Sequence, residues 1–175
     1  MIFYEGMKKN FFLLLIFLLM SFSVSAFKYA GVGIGPGFGI KGFSGTKYFI
    51  NADWQPHDNI GTRLMVGFPD GFWLGVGLNF SYTTPESFSR TFRWTFNGGL
   101  PIIMNIHESY KVAFFGVNLG TTLSFDTDGR GLYYIYITPM EIFYSPITWR
   151  LSPSSGWDMT SNMSLITAVG FRAAI

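Results

Sequence analysis

The chain contains no cysteine. That excludes disulfide frameworks, thiolate metal sites and cysteine nucleophiles, and with them a lipid-modified cysteine as a membrane anchor. Histidine is almost absent, with only His57 and His107, so an imidazole metal centre has little to draw on. Charge is scarce: Asp, Glu, Lys and Arg make up 13% of the residues, against about 25% in a soluble domain. Outside the N-terminal pair Lys8–Lys9 there is no basic cluster, and the net charge of +2 gives no sign of a nucleic-acid partner. Beyond Ala26 long hydrophobic runs are missing too. Each apolar stretch is broken within a few residues by Gly, Asn, Arg, Pro or Thr, so no spanning helix of about 20 apolar residues is expected there.

What the chain does have is 49% hydrophobic residues, 19% aromatic residues and 21 glycines, enough length for one domain and a composition that favours sheet over helix. The start reads as an address. Lys8 and Lys9 form a basic region, Phe11 to Met20 is an unbroken apolar core, and Val24 and Ala26 fit a small-residue cleavage site. Residues 1–26 are therefore expected to be a cleaved signal peptide, with Met7 as an alternative initiator, and residues 27–175 the mature domain, beginning at Phe27.

The mature part alternates with period two, the mark of strands with two unlike faces. Phe72, Leu74, Val76, Leu78, Phe80 and Tyr82 share one face, while Trp73, Gly75, Gly77, Asn79 and Ser81 share the other. The same split separates Tyr48, Ile50, Ala52 and Trp54 from Phe49, Asn51, Asp53 and Gln55. It separates Val117 and Leu119 from Asn118 and Gly120. In a soluble sandwich the polar face would carry Lys and Glu. Here it carries Gly, Asn, Ser, Thr and single charges, and the bulky face often ends in Tyr or Trp. That pattern predicts a lipid-facing exterior with aromatic girdles around a narrow polar interior.

Turn signals fall at 41–46, 56–59, 69–71, 83–89, 107–109, 126–131 and 152–160. Seven connections predict eight strands, an all-β transmembrane antiparallel up-and-down barrel with both termini on the periplasmic side. One stretch fits poorly. Leu132 to Leu151 is long for a single strand and its alternation slips between Pro139 and Pro146, so a bulge, or a hidden turn giving nine or ten strands, is expected there.

Leu165, Thr167, Val169, Phe171, Ala173 and Ile175 alternate to the last residue. With this ending and layout the mature chain resembles the small eight-stranded outer-membrane proteins of the OmpA-barrel, OmpX and OmpW type, and is similar also to small spirochaetal surface barrels. The resemblance implies a bacterial outer-membrane location, contact with outer-membrane lipid, and recognition of the C-terminal strand by the barrel-assembly machinery. Those proteins usually end in an aromatic residue, where this chain ends in Ile175.

Residues with chemical potential are few. Gly31 to Gly39 does not complete Gly-x-Gly-x-x-Gly, because Pro36 and Phe38 stand where a glycine is needed. His107-Glu108-Ser109 places a base two residues from a hydroxyl, as in lipid-modifying barrel enzymes, but in a stretch that reads as a turn. An outward cation at mid-depth in lipid costs about 2–4 kcal/mol, so Asp53, Arg63, Arg93, Glu141, Arg150 and Arg172 are expected to point inward as one lumen network. Such a network either plugs the lumen or lines a path, and eight strands leave just enough room for side chains to fill it. The expected role is non-enzymatic, with exposed loops free to meet an extracellular ligand and no cofactor or metal. A narrow channel for small solutes is the alternative, and a lipid-modifying enzyme a third reading.

Overall fold

The computed structural model describes residues 28–43, 45–84 and 91–175; the expected signal peptide lies outside them. Eight strands occur in chain order: β1 (Tyr29–Lys41), β2 (Thr46–Gln55), β3 (Ile60–Phe68), β4 (Phe72–Thr83), β5 (Phe92–Ile106), β6 (Lys111–Asp126), β7 (Tyr133–Ser152) and β8 (Gly156–Ala174). Each pairs antiparallel with the next, and β8 returns to β1, closing the barrel. Closure leaves no sheet edge along the wall, which an apolar solvent requires.

The faces sort as the alternation predicts. Ile50, Leu64, Val76, Leu78, Leu100 and Leu119 are exposed on the outer wall. Trp54, Phe80, Trp94 and Tyr133 ring it near the termini, and Phe38, Tyr48, Phe68 and Phe72 near the other end. Inside, the usual order is reversed: the buried described residues include twice as many polar or charged side chains as hydrophobic ones. A water-soluble fold with that distribution would expose its apolar surface and bury its polar groups. In lipid the same distribution is favourable.

The long stretch before Leu151 is a single strand with bulges. β7 shifts register against β8 between Thr138 and Glu141 and again between Ser145 and Ile147. Its buried side runs Tyr134, Tyr136, Thr138, then Glu141, Phe143, Ser145, then Thr148. Each extra residue reverses the facing of the residues after it. The connection expected over 152–160 is shorter than its composition suggests. Gly156 to Thr160 belong to β8, held by pairs such as Trp149–Trp157 and Thr148–Asp158.

The two ends of the barrel differ. Opposite the termini the connections are 42–45, 69–71, 107–110 and 153–155, none longer than four residues. On the terminal side they are 56–59, 84–91 and 127–132. The turn after β6 is tied by Asp126, whose carboxylate accepts from the backbone N–H groups of Asp128, Gly129 and Gly131, each at 3.0 Å. Its acidic residues thus serve the backbone, as Asx turns do.

If this facing is correct, Leu78→Arg places a cation against lipid near the middle of β4. It should lower the stability of the barrel in liposomes by about 2–4 kcal/mol. Urea titration and the gel shift between boiled and unboiled protein will read this, and an unchanged titration would mean that Leu78 does not face lipid.

Candidate functional site

The lumen holds the site. Asp53 on β2 and Arg63 on β3 are direct register partners, and both point inward because the residues flanking them, Ala52, Trp54, Thr62 and Leu64, take the outer face. Arg63 Nε donates to Asp53 Oδ1 at 2.6 Å. Arg63 Nη1 crosses the barrel and donates to both oxygens of Glu141 on β7, each at 2.6 Å. One guanidinium therefore holds two carboxylates, using the several donors of its planar fork.

Amides complete the carboxylates. Asn51 Nδ2 donates to Asp53 Oδ2 at 3.1 Å and to Tyr136 Oη at 3.0 Å, and Asn118 Nδ2 donates to Glu141 Oε1 at 2.7 Å. The Tyr136 ring fits because its neighbours are glycines. A Cβ at Gly33 would lie 2.0 Å from Tyr136 Oη, and one at Gly170 would lie 2.5 Å from the ring.

Toward the termini the arginines are held by rings and hydroxyls. The Arg172 guanidinium lies 4.1 Å from the Tyr29 ring centre and 4.4 Å from that of Tyr136. Its Nη1 donates to Ser124 Oγ at 3.2 Å, and its Nη2 lies 3.9 Å from Asp53 Oδ2. Arg93 Nε donates to Tyr134 Oη at 3.1 Å. Cation–π contact of this kind is strongest where water is excluded. Two cavities of about 10 Å³ flank Arg63 and Glu141, each near the space of one water.

Five of the six charges expected in one network are therefore inside: Asp53, Arg63 and Glu141 bonded together, Arg172 beside them, and Arg93 further toward the termini. Arg150 is the exception. It is half exposed and pairs with Asp158 at 3.1 Å. The β1–β8 ladder ends at Lys41–Met163, whereas β7 and β8 run on together to Arg150–Gly156. Arg150 thus lies above the closed wall, where its face of the hairpin meets solvent. Asn51 and Asn118 stand on inward faces in the alternation itself. Tyr136 gives no such signal, because over 133–138 both faces carry aromatic or β-branched residues.

Beyond the network toward the short loops, Phe49, Met65, Trp73, Ile103, Phe143 and Ile166 form an apolar layer, with Phe43 and Phe114 packed on it. Above that the mouth opens into a cavity of about 470 Å³ lined by Gly42, Phe43, Lys47, Asp70, Trp73, Asn105, His107, Tyr110 and Phe114. Lys47 Nζ donates to Asp70 Oδ2 and lies 5.8 Å from the Trp73 ring centre. The hydrogen bond and the charge of Lys47 hold the Asp70 carboxyl below its ordinary value.

His107 is a turn residue. Its Nδ1 accepts from the backbone N–H of Ser109 at 3.2 Å, and its ring stacks on Tyr110 at 4.7 Å. The pairing of base with hydroxyl that an acyl-transfer site needs is not what this imidazole makes. His57 falls in the 56–59 connection at the opposite end. Among the described residues no group of three or more His, Cys, Asp or Glu side chains is placed to hold a metal ion.

A closed barrel of eight antiparallel strands, apolar outside and polar within, defines the class of small eight-stranded membrane barrels. Within it the chain is similar to the N-terminal β-barrel domain of OprF from Pseudomonas aeruginosa, with 13% identity and a TM-score of 0.50 over 85% of this chain and 99% of that one. It is similar also to Neisserial surface protein A, with 11% identity and a TM-score of 0.52 over 86% and 98%. At such identities the likeness is one of fold. No family model and no curated protein sequence matches the chain.

Two measurements test the site. Arg63→Met leaves two carboxylates without their cation and should cost about 3–5 kcal/mol. Arg150→Met, at an exposed pair, should cost about 0–1 kcal/mol. Urea titration in liposomes compares them, and equal effects would dissolve the distinction between lumen and rim. The second concerns Asp70. Its lowered pKa means that the bond to Lys47 persists through the ordinary carboxylate range and is lost only as pH falls through the lowered value. In Lys47→Met the Asp70 carboxyl carbon should titrate at higher pH by NMR.

Proposed function

We propose that this is a non-enzymatic bacterial outer-membrane barrel protein that acts through the surface at its short-loop end. The observation that carries this reading is the Arg63 bridge between Asp53 and Glu141. It supports a plugged lumen over a solute path, and the apolar layer from Phe49 to Ile166 lies above it as a second closure. The likeness to Neisserial surface protein A agrees with a surface role. The apolar belt supports contact with outer-membrane lipid, and the pairing of β8 with β1 fits assembly through the C-terminal strand. The four connections at this end are short, so the surface offered is the barrel mouth itself, with few residues in loops.

The absence of cysteine makes the test clean, since any introduced thiol is unique. Glu108→Cys, in the 107–110 connection, should react with a membrane-impermeant maleimide on intact cells. Arg130→Cys, in the 127–132 connection, should react only after lysis. The reverse pattern would overturn the orientation. The purified barrel should be silent in a planar bilayer, and discrete conductance would replace the plugged reading with the narrow channel.

A further inference from the structure

The cavity at the mouth belongs to neither the lumen network nor the lipid-facing wall, and its lining is chemically specific. At about 470 Å³ it falls within the range of about 300–1,000 Å³ typical of small-molecule sites. Two stacked pairs of rings shape it: Trp73 with Phe114 at its floor, 5.9 Å apart and 13° from parallel, and His107 with Tyr110 on its wall, 4.7 Å apart and also 13° from parallel. Lys47, Asp70 and Asn105 stand among these rings.

The charges narrow the class of occupant. Lys47 is paired with Asp70, so an anionic ligand would meet a cation already neutralised. Lys47 also sits near the Trp73 ring, the place an organic cation would need. A purely apolar ligand would strip water from the exposed Asp70 carboxylate without replacing its hydrogen bonds, which is unfavourable. Asn105 adds a further constraint. It is buried, its Nδ2 donates to Tyr110 Oη at 3.3 Å, and its Oδ1 has no hydrogen-bond partner. A buried acceptor left over in this way is a cost that a turn of the Asn105 amide into the cavity, toward a ligand hydroxyl or an ordered water, would relieve.

We infer that the mouth cavity is a binding site for a short neutral saccharide: a ring with C–H faces to lie on the aromatic side chains and hydroxyls to bond with Asp70, Asn105 and the Lys47 ammonium. The inference rests on the proposed orientation in which this end faces outward, because only there would a glycan be met at the cell surface.

The test uses the full mature barrel refolded in lauryldimethylamine oxide, a detergent without a sugar head. Saturation-transfer NMR is run with maltotriose, cellotriose, chitotriose and lactose as neutral probes, and with choline, laurate and a sulfated disaccharide as charged or apolar ones. At least one neutral probe should receive saturation, strongest at its ring C–H protons, and the other classes should not. Asp70→Ala and Tyr110→Ala should each weaken binding roughly tenfold, the equivalent of one lost hydrogen bond to a charged or buried group. Both variants must first show the gel shift of a folded barrel. If no neutral probe binds, if only a charged or apolar probe binds, or if both folded variants bind as before, the inference is wrong. Because binding in micelles does not depend on orientation, its failure is separable from a reversed maleimide pattern.

Discussion

Arg63 is the hinge of the interior. Its side chain leaves β3 and joins β2 to β7 through two carboxylates, and the other polar groups are arranged around that bridge: Asn51 and Asn118 fill the remaining lone pairs, and Tyr136 lies across both Asn51 and Arg172. The constraint behind it is the solvent outside. Lipid accepts no charge on the wall, so the few charges must share a space barely wider than their own side chains, and sharing it without pairing would be prohibitive. The glycines reflect the same crowding. Gly33 and Gly170 give up their side chains so that Tyr136 can be there.

Much of this is legible in the sequence because the lipid environment writes a strong pattern. On β2 and β3 the alternation is unbroken, so Asp53 and Arg63 fall on one inner face and read as partners from the residues alone. The count of eight strands rests on turn residues such as Pro56–Asn59 and Pro69–Gly71, which occupy connections in the folded barrel. Glu141 is harder to place, since periodicity loses its phase where β7 bulges, and Tyr136 gives no signal of its role at all. Arg150 shows a different limit. Alternation tells which face a residue takes but not where along the strand the enclosing wall stops, and Arg150 lies past that point. The mouth cavity has no sequence signature, because Lys47, Asp70, Asn105 and Tyr110 come from separate stretches of the chain and meet only once the barrel closes.

The contrast between the barrel's ends bears on how such a protein presents itself. Long loops offer variable and mobile contact surfaces. Here the connections at the mouth are minimal and the strands themselves rise above the closed wall, most of all β7 and β8. At the mouth Lys47, Trp73, Asn105 and Phe114 are held in strands, and above the wall Trp149 stacks on Trp157. A surface built in this way is fixed in shape before it meets anything, which reduces the ordering cost of binding.

The double phase reversal in β7 makes that strand behave like a reading frame. Tyr134 to Thr138 are in phase, Glu141 to Ser145 are out of it, and Thr148 restores it. A single-residue deletion at the first bulge would remove the extra residue and leave Glu141 facing inward, whereas a deletion within a regular stretch would send the side chains from there to the next irregularity to the opposite solvent. A compensating change at that irregularity would restore the residues beyond it but not those between. Single-residue length changes in β7 are thus absorbed at its bulges, and elsewhere they are closed off by the alternation that keeps Glu141 beside Arg63.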